Sequence, residues 1–198
     1  AVLSVAATTN FVAGDHIFIH QSIGTGAGLW EIRKILSVSN GVSFTLTENL
    51  VNTYQSTGAQ VILIPEYTTM KFLSGSTITD SQWGGTTGGI VVMYASKYII
   101  VDTGVTLSVN AFGFRGGTGN NNNGLTGEGT AGPSVNQAGA NGNGGGGSTG
   151  GGGTGDGGGG GHLFIGNAGT SNAGAGGSSL VTALSNYGTG ENNFVMIF

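Results

Sequence analysis

Cysteine is absent from all 198 residues. The chain therefore carries no disulfide, no thiolate zinc site and no cysteine nucleophile, and its composition fits any redox compartment. Proline is nearly absent too, occurring only as Pro65 and Pro133. With no sustained Gly-X-Y period either, a collagen triple helix is excluded. Charged residues make up 7% of the chain, against about 25% in typical proteins. Five Lys and Arg residues against nine carboxylates leave a net charge of −4. So few cations cannot neutralise a row of phosphates or hold an anionic bilayer, so neither nucleic acid nor a membrane surface is expected as a partner. A charge-rich disordered tail is excluded in turn, because 37% of residues are hydrophobic and mean hydropathy is +0.14. The longest nearly apolar run, 90–101, has Lys97 inside it and falls short of the roughly 20 residues a spanning helix needs. No membrane insertion and no charged-then-apolar leader are expected. A first residue of Ala1 rather than Met points to a processed product or an excerpt.

What the chain has instead is glycine, 43 residues of it. Residues 113–177 hold 29 of these, and the stretch 142–161 is 15 glycines interrupted only by Asn143, Ser148, Thr149, Thr154 and Asp156. The remainder reads as strands. Runs at 15–20, 30–38, 42–47 and 61–64 are β-branched or aromatic and bounded by Gly, Asn, Ser and Thr. Asn40-Gly41 between two of them predicts a hairpin, because a two-residue type I′ turn wants positive φ at both positions. Only 29–36 resembles a helical window, and the alternation of Trp30, Ile32 and Lys34 against Glu31, Arg33 and Ile35 suits a strand better. From Thr69 onward, shorter strands at 70–73, 76–79, 90–94, 98–101 and 105–109 recur about every eight to twelve residues, the spacing of a sandwich or of solenoid rungs. No strict sequence repeat accompanies that spacing.

The expected fold is all-β. It comprises a small barrel or sandwich module at 1–67, sandwich-like or solenoid-like strands at 68–112, a glycine-rich region at 113–178 and terminal strands at 179–198. A glycine run has two ordinary meanings: a flexible linker, or packed backbone. Ordering about twenty such residues costs roughly 20–40 kcal/mol with no side-chain burial in return. Backbone hydrogen bonds between chains brought close by the missing Cβ are the available source. Extended strands with three residues per turn can pack in this way, as along the crowded axis of collagen. The residues expected to form such an interior are Gly144, Gly145, Gly146, Gly147, Gly150, Gly151, Gly152, Gly153, Gly157, Gly158, Gly159, Gly160 and Gly161. The tract is no phosphate cradle, since it lacks the Lys-Ser/Thr of a P-loop and the helix of a dinucleotide fingerprint.

Several short motifs carry a resemblance. Residues 11–21 (FVAGDHIFIHQ), 26–31 (GAGLWE), Tyr54 with 58–61 (GAQV) and 65–67 (PEY), Trp83 with 88–90 (GGI), and 113–117 (GFRGG) together look like large glycine-rich surface proteins of bacteria. In those proteins a Gly-Asp-hydrophobic β-module leads into β-helix-like strands and a glycine-rich region. The resemblance spans roughly residues 10–165. Separately, about 139–177 resembles in composition the polyglycine-II sandwich of tail-tip adhesins in tailed phages. Neither resemblance implies an enzyme.

Chemistry is thinly represented. His16 and His20 share a strand face with Phe18 but stand about 13 Å apart at strand rise, too far to chelate one metal together. His162 opens a short strand, 162–165, and reads as structural. The nine carboxylates include no locally nominated pair for glycoside cleavage, and Asp15 after Gly14 reads as a turn residue. Asp156, Asn143 and the 120–123 asparagines lack the spacing of a calcium loop. A Gly-x-Ser-x-Gly elbow is missing as well. No catalytic residue, metal site or cofactor is expected. A Lys–Asn or Lys–Asp side-chain cross-link would fall at Lys71 or Lys97, both in expected strands.

The sharper signal lies in two apolar segments. Phe194, Val195, Met196, Ile197 and Phe198 put apolar residues on both faces of a strand, so both faces need burial; Val2, Leu3 and Val5 have a similar character. Each segment either pairs inside its own fold or completes the sheet of a neighbouring subunit. Low charge removes the edge lysines that normally oppose edge-to-edge pairing. The functional expectation is a non-catalytic, extracellular or cell-surface structural protein, a filament or surface-layer subunit whose partner is itself, head to tail. The alternative is a tail-fibre or cell-surface adhesin, presenting loop 120–137 to a surface receptor or glycan.

Overall fold

The computed structural model describes residues 1–39, 41–79, 81–108, 112–116, 125–133, 135, 141–142, 145–146 and the backbone of 194–197. These form an all-β fold, with no helix among the described residues. Five strands, β1 (Val2–Ser4), β2 (His16–Gln21), β3 (Trp30–Ser39), β4 (Ser43–Leu46) and β5 (Ala59–Leu63), make a sheet in the order β1-β4-β3-β2-β5. Every neighbouring pair in it is antiparallel.

β2 sits next to last in that order and is buried on both faces. Ile17 and Ile19 point into a core with Ile35, Phe44 and Leu46, while Phe18 points into another with Ile64, Ile90 and Val92. A bulge between Ile35 and Ser37 sets Leu36 out of the ladder, so that Ile35 and Val38 reach the same core despite their odd spacing. The β3–β4 hairpin forms where Asn40-Gly41 predicted one. Its register pairs Ser39 with Ser43, so three residues, 40–42, make the loop in place of the expected two. Gly41 takes the positive φ, +72°, and Asn40 lies outside the described residues.

The sheet is open, and the small-barrel expectation for 1–67 is corrected to an open sheet among the described residues. Closure would require β5 to pair onward. After Ile64 donates its last bond to the His16 carbonyl, 3.0 Å, Pro65 offers no N–H to extend the ladder. The Pro65 carbonyl instead accepts from Tyr94 N, 3.0 Å, and the chain passes into a second sheet.

That second sheet has the order β10-β8-β6, from β6 (Glu66–Phe72), β8 (Val91–Val101) and β10 (Phe194–Ile197). The two segments expected separately at 90–94 and 98–101 are one strand, because Ala95, 1% exposed, stays in the ladder opposite Tyr67. β6 and β8 are parallel, as are the short strands β7 (Thr77–Ile78) and β9 (Thr106–Leu107). Partners in both ladders lie 29 positions apart once past a bulge near Thr69: Met70 with Ile99, Phe72 with Val101, Ile78 with Leu107. The turns between long and short strand repeat at the same offset, with Gly75 at φ +80° and Gly104 at +83°. Only a residue without Cβ adopts that conformation cheaply, so glycine marks both corners. Two like strand–turn–strand units are thus stacked, and Met70, Phe72, Val91, Met93 and Ala95 form their core with Ile78, Ile99, Val105 and Leu107 against it.

Candidate assembly site

The nearly apolar run noted at 90–101 becomes β8, whose first half is buried on both faces. Val92, with Tyr94 against it, belongs to the core shared with Phe18; Val91, Met93 and Ala95 belong to the core under β7 and β9. A strand segment so placed must be apolar without alternation, which accounts for 91–95, the first half of the run. One edge of β8 is taken by β6 and the other by β10.

β10 pairs antiparallel with β8, Phe194 opposite Tyr94, Val195 opposite Met93, Met196 opposite Val92 and Ile197 opposite Val91. Phe194 and Met196 therefore stand in register with residues of one core, and Val195 and Ile197 with residues of the other. The segment whose pattern demands two buried faces is paired with a strand that has two. Phe198 lies outside the described residues.

Val2 and Leu3 do not join this site. They form β1 at the far edge of the five-stranded sheet, Val2 opposite Thr45 and Leu3 opposite Phe44, and Val5 N donates to the Val42 carbonyl at 2.9 Å. Leu3 and Val5 pack on the Ile17 core, whereas Val2 is exposed. In the single chain both apolar segments pair in cis.

Of the glycines named for packing, Gly145 and Gly146 are described and both are buried; the other eleven lie outside the described residues. Gly127 N donates to the Gly146 carbonyl, 3.0 Å, and Asn141 N to the Gly145 carbonyl, 3.0 Å. A Cβ at Gly145 would stand 2.8 Å from the Gly127 oxygen and 2.9 Å from both the Glu128 oxygen and Asn141 Cβ. At this point backbone approaches backbone more closely than any side chain would allow.

This part is tied to the strands by a carboxylate that the sequence did not single out. Glu128, 4% exposed, accepts at Oε2 from Trp83 Nε1 (3.0 Å), Arg115 N (3.0 Å) and Arg115 Nε (3.0 Å), and at Oε1 from Arg115 Nη2. The Arg115 hydrogen bond is the main cause holding its carboxyl below the ordinary range, against the opposing effect of burial. Trp83 also meets Phe114 edge-on at 5.4 Å and donates N–H to the Phe112 carbonyl. Nearby, the Asn141 side-chain amide donates to the carbonyls of Gly127, Gly132 and Pro133 at 2.8 to 3.0 Å. A signal existed: Arg115 is the lone Lys or Arg beyond Lys97, and Glu128 the lone Glu between 113 and 178. In a chain so poor in charge, an ion pair is the natural reading of two such residues; Glu128 is its buried member and Arg115 covers it from the solvent side.

The remaining candidates are structural in their surroundings. His20 is buried and stacks on Phe18 with ring centroids 5.9 Å apart. Its Nδ1 meets Ser22 Oγ at 2.9 Å, and Gln60 joins that hydroxyl to the Gly88 backbone. Burial pushes the imidazole down to about 4. His16 lies beside Glu66. Among the described residues no group of three His, Asp or Glu is placed to hold a metal. Lys71 Nζ lies 3.3 Å from Asp102 Oδ2 as a solvent-open ion pair, and Lys97 is exposed. No described helix is long and apolar enough to cross a membrane. His162, Asp156, the 120–123 asparagines and most of loop 120–137 lie outside the described residues.

No family model, curated protein or solved structure matches the chain.

Proposed function

We propose that the chain is a non-catalytic, extracellular structural protein, a subunit of a filament or surface layer joined to its neighbours by β-strand complementation. The observation that carries this reading is the register of β10 on β8. A short apolar strand occupies the edge of a sheet whose receiving strand is buried on both faces. Main-chain bonds along such an edge supply affinity, and a register that sets alternate positions of β10 opposite residues of two cores supplies specificity. The stacked units at 66–78 and 91–107 are rungs of a β-solenoid, supported by their shared 29-residue offset and paired corner glycines. The glycine tract that follows is ordered packing of the polyglycine-II kind, supported by the close approach of Gly145 to Gly127 and Glu128. The resemblance of the motifs at 11–21, 83–90 and 113–117 to glycine-rich bacterial surface proteins supports the same assignment.

The test is deletion of 194–198 followed by electron microscopy and sedimentation of the purified protein. Soluble monomers in place of polymer are expected. Polymers of unchanged length would overturn the reading.

A further inference from the structure

We propose that β10 exchanges between the β8 edge of its own chain and the β8 edge of a second copy in the same register, so that the lone chain is a self-capped form of the subunit. This deepens the strand-complementation reading and rests on it. Three observations lead here.

First, the β8 edge is costly to leave empty. Val91, Val92, Met93 and Ala95 are all at most 8% exposed, and an open edge beside them presents unpaired N–H and C=O groups next to two apolar cores. Filling the edge is therefore favoured over leaving it empty, and in the single chain β10 fills it.

Second, β10 is the outer strand of its sheet. Its departure breaks one ladder, that with β8, and leaves the β6–β8 and β7–β9 ladders as they are. The receiving strand is held by β6 whether or not β10 is present.

Third, the link between strand and edge is long in sequence. Leaving out the glycine tract to 161, the 32 positions 162–193 still precede β10, and a chain of that length can span on the order of 100 Å. Reach does not decide which copy's β8 is filled. Since the contacts are identical in cis and in trans, the balance rests on the effective concentration of the tethered strand against the concentration of free copies. Dilute protein stays capped. Protein concentrated at a surface or at a growing end trades strands and chains together head to tail.

The absence of cysteine makes the test clean, because introduced thiols can bond only to each other. Met93 and Val195 face each other in the register. Two full-length single variants, Met93→Cys and Val195→Cys, are mixed, allowed to assemble and oxidised. A disulfide between the two can form only in trans, and is read on non-reducing gels and by peptide mass spectrometry. The double variant, oxidised while dilute, is expected to close in cis, remain monomeric and regain assembly when reductant is added. Tyr94→Cys with Phe194→Cys repeats the experiment at a site where the receiving residue is only half-buried, should loss of Met93 harm folding. Trans disulfides in the assembled mixtures, with cis-locked double variants that do not assemble, are the expected result. Assembly with no trans disulfide at either pair would overturn the exchange and leave strand complementation to some other edge. Failure of the unaltered protein to polymerise when concentrated would overturn both the exchange and the reading beneath it.

Discussion

The strands before residue 108 and the glycine-rich stretch after it are held together by different means. In the first region, cohesion comes from side chains: Ile17, Phe18, Ile19, Ile35 and Phe44 are each at most 1% exposed, and three apolar clusters account for the arrangement of both larger sheets. In the second, the described buried residues with large side chains are polar. Thr126, Glu128 and Asn141 are enclosed, and each spends its side chain on backbone N–H or carbonyl groups or on a neighbouring ring N–H. Apolar burial is non-directional and tolerates many sequences, whereas a hydrogen-bonded interior needs each partner in place, since an unmatched buried group costs about 1–3 kcal/mol. At the described glycines backbones stand close enough to bond, and Glu128, accepting from Trp83 Nε1, ties this part to the region before residue 108.

The comparison can be broken most severely from the apolar side. Phe18→Ala removes the ring that packs Trp30, His20 and the Ile64–Val92 core together. A loss of about 4 kcal/mol is expected, seen as a lower urea midpoint for the whole molecule. A loss under about 1 kcal/mol would mean that this core does not join the two sheets.

Acid provides the next test. His20 has its folded value pushed down to about 4 from an ordinary 6.5, so the unfolded chain takes up its proton first. Its effect is absent above about pH 6.5, and stability falls as pH drops from there toward 4, by up to about 3 kcal/mol. Chemical denaturation at a series of pH values should show that slope in the native chain and a flatter one in His20→Gln. An unchanged slope in the variant would assign the effect elsewhere. Glu128 acts in a lower window: its depressed carboxyl contributes above the ordinary carboxylate range and loses that contribution as pH falls through its folded value.

Smaller in energy but sharper in place is Glu128→Ala, which strands the buried Trp83 N–H and the Arg115 backbone N–H. We expect about 2 kcal/mol, confined to the glycine-rich segment, with the amides of 126–128 losing hydrogen-exchange protection while those of β2 keep theirs. Equal loss in both regions would erase the distinction between them.

Much of the strand content was legible in the sequence. The runs at 16–21 and 30–39 are β-branched enough to dictate their state, and the apolar character of 91–95 follows from the double burial of the first half of β8. The 29-residue offset was not legible, because the stacked positions conserve only apolar character: Met70 with Ile99, Phe72 with Val101, Ile78 with Leu107. Gly75 and Gly104 are its clearest trace. Glu128 and Arg115 were hidden for another reason. They meet across thirteen positions of irregular chain, where no period relates one side chain to the next, and only their rarity marks them.

Residue-resolved hydrogen exchange on the native chain tests most directly whether glycine here is packed backbone. The amides of Gly127, Glu128 and Asn141, which donate to the carbonyls of Gly146, Arg115 and Gly145, should exchange orders of magnitude more slowly than free peptide, within reach of the β2 amides. Exchange of these three at the rate of an unstructured chain, beside a protected β2, would contradict the account.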